Sequence, residues 1–268
     1  MKTRANAWKE LMYSPVKEEF NLLKRSTIPR EALQNIEVDI ERSVHPECTC
    51  MGPLEAEARE YNVIIRKKEL RDVLVAFAKY NSAIEYCQGL SYYAAFLLQL
   101  FTPEESFSIL CKTIQKNRIE RLFDKKLSLV SKVLSVHERV LNLTLPEAIR
   151  KSIQSISNST HDYSAGWYLT LFSRLSPSLY TVVLDLFYTR GFPVLFHAAS
   201  ALVEVGHRNY ITEGVIEHDQ RMQILFKLAD YPIPEDEFRE VLQRNIQMVS
   251  LATIEHMLSE IDSNIENK

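Results

Sequence analysis

Leu70-Arg-Asp-Val73-Leu74-Val-Ala-Phe77 is the stretch that decides the fold class. Leu70, Val73, Leu74 and Phe77 recur at i, i+3, i+4 and i+7, which sets four large apolar side chains on one stripe of a helix. Such a stripe has to be covered by another element. Further along, Leu127, Val130, Leu134 and Leu141 repeat the spacing, as do Leu242, Ile246 and Val249 near the C-terminal end. Leu90 to Leu100 and Val182 to Leu202 are apolar nearly all round, as helices at the centre of a large helical domain are. The pattern predicts an all-α fold: one large multi-helix domain over residues 1–268 with two helical lobes, about 1–120 and 121–268.

Punctuation agrees with helices. Thr102-Pro-Glu-Glu105 reads as an N-cap, a proline at the first helical position and a glutamate that reaches back to the cap. Thr144 with Glu147 has the same capping-box spacing, and Pro232 and Pro234 mark a break before the last amphipathic segment. Ser43 to Pro53, SVHPECTCMGP, holds two prolines and a glycine and is read as a loop. Only 6 glycines occur in 268 residues. A β-rich chain of this length would need more of them for its turns and bulges.

Composition narrows the function classes. A formal charge of −3 argues against a nucleic-acid binder, whose affinity rests on concentrated Lys and Arg. The one basic cluster, Lys112, Lys116, Arg118, Arg121, Lys125 and Lys126, is interleaved with acidic residues and reads as a solvated face, with a contact to an anionic surface as the alternative. The four cysteines, Cys48, Cys50, Cys87 and Cys111, are too few and too irregular for a disulfide scaffold. MKTRANAWKE lacks the apolar core of a secretory signal. The apolar run Leu90 to Phe101 is well short of the ~20 residues that span a bilayer. These features together predict a cytoplasmic protein.

Several chemistries lack their motif. There is no G-x-x-x-x-G-K-[ST] to cradle phosphates and no G-x-G-x-x-G, so no nucleotide site belongs to this chain. G-x-S-x-G and H-E-x-x-H are also missing. His45, Cys48 and Cys50 offer three soft ligands where a structural zinc site takes four, so no metal is expected. His137 and His197 lie in apolar helical surroundings and read as core or boundary histidines.

Two segments carry more than packing. In Asn35-Ile-Glu-Val-Asp-Ile-Glu-Arg42, the residues Ile36, Asp39 and Arg42 span an arc of about 120° on a helix, so that Ile36 anchors while Arg42 projects. Asp39, one turn before Arg42, can pair with the guanidinium and orient it. Taken alone, this reads first as an ion pair on a helix surface. Tyr86-Cys-Gln-Gly89 lies between two apolar helical runs, and Gly89 removes a Cβ directly after Gln88. Taken alone, this is equally a helix end before a packed helix.

As a pair, I-x-x-D-x-x-R and Y-x-Q-G resemble the signature of the TBC domain, the Rab GTPase-activating fold. Arg4-Ala-Asn-Ala-Trp8 resembles that family's R-x-x-x-W opening, and Trp167-Tyr-Leu-Thr-Leu-Phe172 its W-F-L-T-L-F helix. Leu184-Asp185, Gly191 and Val194-Leu-Phe196 resemble its W-D, E-G and V-L-F run, so the likeness extends from residue 4 to about 206. Three places depart from the family pattern: Glu85 stands where a glycine is usual, Ser43-Val-His-Pro46 where T-F-P is favoured, and Leu184 where the W-D tryptophan stands. The resemblance implies an N-terminal catalytic lobe in which Arg42 and Gln88 act as arginine and glutamine fingers. Asp39, Tyr86, Gly89 and Ile36 would support them. It implies a partner, a Rab-family small GTPase in its GTP-bound form that brings its own Mg²⁺ and GTP. This chain would need no cofactor, and its membrane association would be peripheral, through that partner. The competing readings are a TBC-like scaffold that binds a GTPase without accelerating it, and a helical-repeat adaptor.

Overall fold

The computed structural model describes residues 2–44, 56–82, 84–211 and 217–265. They form fourteen α-helices and two single 3₁₀ turns, with no strand among the described residues. The chain divides into two compact units, Met1–Ser128 and Leu129–Lys268.

The first unit holds α1 (Lys2–Met12), α2 (Lys17–Leu23), α3 (Arg30–Ser43), α4 (Ala56–Tyr80), α5 (Leu90–Leu97), α6 (Pro103–Asn117) and a 3₁₀ turn at Glu120–Leu122. The predicted stripe is its axis: Leu70, Val73, Leu74 and Phe77 are all buried on α4, against which α2, α3, α5 and α6 pack. Burying a large apolar side chain is worth about 1.5–3 kcal/mol, so such a stripe outweighs any single polar contact at the surface. Two ion pairs fasten α3 along α4 on the solvent side, Glu37 to Arg71 at 2.7 Å and Glu41 to Lys67 at 2.5 Å. The capping box at Thr102 forms as expected, with Glu105 N–H donating to Thr102 Oγ1 and Thr102 N–H to Glu105 Oε2.

The second unit holds α7 (Val130–Thr144), α8 (Glu147–Ile156), α9 (His161–Leu169), α10 (Pro177–Arg190), α11 (Val194–Tyr210), α12 (His218–Phe226), a 3₁₀ turn at Leu228–Asp230, α13 (Glu235–Met248) and α14 (Leu251–Ile265). Its centre is α11, buried continuously from Val194 to Gly206 and touched by α7, α9, α10, α12 and α13. Gly206 is required there, because a Cβ would collide with the Leu228 side chain. Glu204 is fully buried on the same helix, its carboxylate held by Arg208 and by both terminal nitrogens of Arg244.

Two local expectations are corrected. Leu127 is not on α7: it has φ 49° and is exposed. The Asp124 carboxylate takes the Ser128 N–H and hydroxyl, and the Asp124 carbonyl accepts from Leu127 N–H at 2.8 Å, so a local turn replaces the helix start. The buried face of α7 is instead Val133, Val136 and Val140 with Leu134 and Leu141. Thr144 does not cap α8. Its hydroxyl bonds to Val140 O and to Ser200 Oγ, both at 2.7 Å, and Pro146 occupies the N-cap with no side-chain bond. The start of α13 directly after Pro234 agrees with the proline break. Most of the predicted loop from Ser43 to Pro53 lies outside the described residues, as do His45, Cys48 and Cys50.

His137 and His197 are core residues, as read from sequence. His137 Nδ1 pairs with Tyr168 Oη at 2.8 Å among the rings of Tyr163, Trp167 and Tyr168, and His197 Nε2 with Val249 O at 2.8 Å. Burial, helped by the charge of His161, pushes the His137 imidazole down to about 3. In the unfolded chain it titrates near 6.5. Between those values the unfolded state binds the extra proton, so the stability is complete above pH 6.5 and is lost as the pH falls below it. Urea unfolding should therefore show the wild type losing about 2 kcal/mol more between pH 7 and pH 5 than His137→Gln does. Equal losses in the two proteins would rule the ring out as the titrating group.

Candidate functional site

The candidate site lies where α3 ends and α5 begins, within the first unit. α3 is amphipathic, and Ile36 on its inner face is completely buried, which fixes the rotation of the helix. Three residues on, Asp39 is 2% exposed; three further, the Arg42 side chain is 55% exposed in the last turn. The guanidinium Nη1 lies 3.7 Å from Asp39 Oδ1, an ion pair longer than a hydrogen bond.

A buried carboxylate has to be partnered. The other oxygen, Asp39 Oδ2, accepts from Tyr86 Oη at 2.7 Å and from the Gly89 N–H at 3.3 Å. Burial, followed by the Asp39 charge, pushes the Tyr86 phenol far above its ordinary range, so it serves as a permanent donor. Gly89 is the N-cap of α5 and has φ 106°, a left-handed conformation that a side chain would strain. The glycine is thus favoured by the local backbone, and its N–H bonds to the carboxylate. Gln88, directly before it, is exposed. One buried carboxylate thereby joins the turn carrying Arg42 to the residue beside Gln88.

All six residues picked out by sequence sit around this junction, Ile36, Asp39 and Arg42 on one element and Tyr86, Gln88 and Gly89 on the other. Two others were missed. Ser91, buried in the first turn of α5, receives the Ser43 hydroxyl at 2.8 Å and closes the end of α3 against α5. The only trace of it in the sequence is a polar residue inside an apolar run. Lys125 Nζ lies 3.0 Å from Glu85 Oε1, and nothing local in either stretch announces a pair 40 residues apart. Glu85 has φ 55°. A non-glycine residue there costs about 1–2 kcal/mol, whereas a partly exposed ion pair returns about 0–1 kcal/mol.

Neighbouring groups are poorly suited to chemistry of their own. Burial, with the charges of Asp39 and Asp124, pushes the Cys87 thiol up to about 11, so it is a weak nucleophile at neutral pH. Among the described residues no cluster of His, Cys, Asp or Glu could hold a metal, and no helix is long and apolar enough to cross a membrane. What the junction presents outward is a cationic fork and a carboxamide.

A model of the Rab-GTPase-TBC domain matches residues 1–211. The chain is similar to Ecotropic viral integration site 5 protein homolog of Homo sapiens, 26% identical over 226 residues that cover 82% of this chain and 26% of the relative. It is similar to Rab GTPase-activating protein tbc-11 of Caenorhabditis elegans, 30% identical over 145 residues, 52% of this chain and 15% of that one. TBC1 domain family member 30 of Mus musculus is 25% identical over 234 residues, 74% and 30% of the two chains. This chain thus spans less than a third of the length of these relatives. With the family model covering residues 1–211 of 268, this chain belongs to the Rab-GTPase-TBC domain family.

Proposed function

We propose that this chain accelerates GTP hydrolysis by a Rab-type small GTPase in its GTP-bound form, lending Arg42 and Gln88 to the partner's active site. The observation that carries the reading is the Asp39 carboxylate, which binds the Arg42 turn and the Gln88 loop to each other. Family membership and a relative named as a Rab GTPase-activating protein support the partner class.

Small GTPases are slow because charge building on the transferred phosphoryl oxygens is incompletely stabilised and the attacking water is poorly held. The Arg42 guanidinium answers the first defect with fixed positive charge and planar donors. Gln88 answers the second: its carbonyl oxygen accepts from the water while its NH₂ donates towards the phosphate. Asp39 orients Arg42, Tyr86 orients Asp39, Ile36 fixes the turn of α3, and Gly89, left-handed at the start of α5, supplies the N–H that Asp39 accepts. Mg²⁺ and GTP come with the partner, and this chain supplies no cofactor. Any membrane association is peripheral and follows the GTPase, from a cytoplasmic pool to endomembranes.

Single-turnover hydrolysis across a panel of GTP-loaded Rab proteins tests the reading. Wild type should accelerate at least one of them; Arg42→Ala should cut the stimulated rate by about 10³-fold or more. Gln88→Ala should cut it by roughly 10²-fold. Acceleration untouched by either substitution would sink the two-finger mechanism, and binding without acceleration by the wild type would mark the chain as a scaffold.

The supporting residues give a separate prediction. Asp39→Asn keeps the shape but removes the charge beside Arg42, so kcat should fall by about tenfold with KM within a few-fold. Gly89→Ala places a Cβ at φ 106° and should cost about 1–2 kcal/mol in urea unfolding as well as activity. A Gly89→Ala protein of wild-type stability would mean that the backbone does not hold the site in this way.

A further inference from the structure

The loop that carries Gln88 is fastened on one side to a single atom. Tyr86 Oη and the Gly89 N–H both end on Asp39 Oδ2, so those two bonds meet in one point. Backbone bonds tie the ends of the loop, Glu85 N–H to Asn81 O at 2.8 Å and Leu90 N–H to Cys87 O at 3.4 Å, and a side-chain attachment away from Asp39 further restrains the stretch between them. Glu85 supplies one, on the opposite side of Tyr86 in sequence. Its carboxylate meets Lys125 Nζ at 3.0 Å, inside the Asp124–Ser128 turn that follows the 3₁₀ turn. That segment is itself stiffened, since the Asp124 side chain takes both the N–H and the hydroxyl of Ser128. The anchor end is therefore ordered by its own bonds.

Stability does not account for Glu85. Its backbone is left-handed at φ 55°, where glycine would sit without strain, and the ion pair that accompanies it is open to solvent on the lysine side, 66% exposed against 23% for the glutamate. A partly exposed pair returns less than the conformation costs. A residue that costs the fold more than it returns marks a place where the chain holds something in position.

We propose that Glu85 and Lys125 form a positioning tether that fixes the orientation of the Gln88 loop, acting on the rate through Gln88 and touching neither nucleotide nor water. The role rests on the GTPase-activating reading, but the tether can be read without it.

Two measurements on the whole chain separate the two claims. The first is amide hydrogen exchange of the peptide containing Tyr86 to Gly89, without any GTPase. Lys125→Ala, remote in sequence from the loop, should speed that exchange by about tenfold, a change that exchange without added GTPase reads directly. The second is the stimulated hydrolysis rate. Both Glu85→Gly and Lys125→Ala should lower kcat by about tenfold with KM within twofold, the pattern expected when a transition-state group is misplaced. Glu85→Gly should do so at a melting temperature no lower than wild type, opposite in sign to what a merely structural role would give. The exchanged pair, Glu85→Lys with Lys125→Glu, should recover most of the lost rate.

Exchange unchanged in Lys125→Ala would overturn the tether. Faster exchange with an unchanged kcat would overturn its positioning role, as would a swapped pair no better than the single variants. If the wild type accelerates no GTPase, the activator reading fails and the positioning role with it, while the exchange data still report on the tether alone.

Discussion

A buried charge has to be answered, and at the end of α3 the charge is Asp39. At 2% exposure its carboxylate cannot rely on water, so the fold brings it a phenol, a backbone N–H and a guanidinium from two different stretches of chain. The N–H comes from Gly89, whose left-handed backbone favours glycine at that position. The phenol comes from Tyr86 in the same loop, two residues before the exposed Gln88. Behind it all stands α4, whose apolar stripe is buried in the unit and against which α3 and α5 pack.

The parts that were legible in the sequence are those in which side-chain spacing and burial are the same fact. Leu70, Val73, Leu74 and Phe77 sit at helical intervals because one face of α4 is covered, and Ile36, Asp39 and Arg42 could be placed around α3 by counting. The capping box at Thr102 was legible because both of its bonds are local. Thr144 failed for an instructive reason. The same residue types at the same spacing were present, but a hydroxyl at the end of a buried helix found Ser200 and the Val140 carbonyl first. Leu127 failed because a neighbouring acid, Asp124, closes a turn that competes with the helix. In both places tertiary or side-chain competition overrode a pattern that propensity alone would have honoured.

The long-range polar pairs were illegible for a different reason. Ser43 with Ser91 and Glu85 with Lys125 are each 40 or more residues apart, and no periodicity in one stretch constrains the other. The reading of Gly89 also changed in kind. In the sequence it reads as a missing Cβ beside Gln88; in the structure its own φ of 106° favours glycine.

The second unit offers an internal control on what distinguishes a structural ion pair from a side chain held ready. Glu204, like Asp39, is a buried carboxylate on a helix with an arginine nearby. There the acid is gripped by Arg208 and by two nitrogens of Arg244, one of them at 2.9 Å, so the donors are committed to the protein itself. A bidentate pair of that kind is strong and spends the fork's geometry. Arg42 stands 3.7 Å from its acid, beyond the length of a hydrogen bond, and more than half its side chain is in solvent. Asp39 meanwhile is satisfied by Tyr86 and Gly89, so it steers the guanidinium by charge without consuming its donors. The two sites differ in who answers the buried acid. Where arginine alone does so, its donors are spent within the protein; where a phenol and a backbone N–H do most of it, the arginine stays exposed and beyond hydrogen-bonding distance of the acid, as the proposed activator role requires.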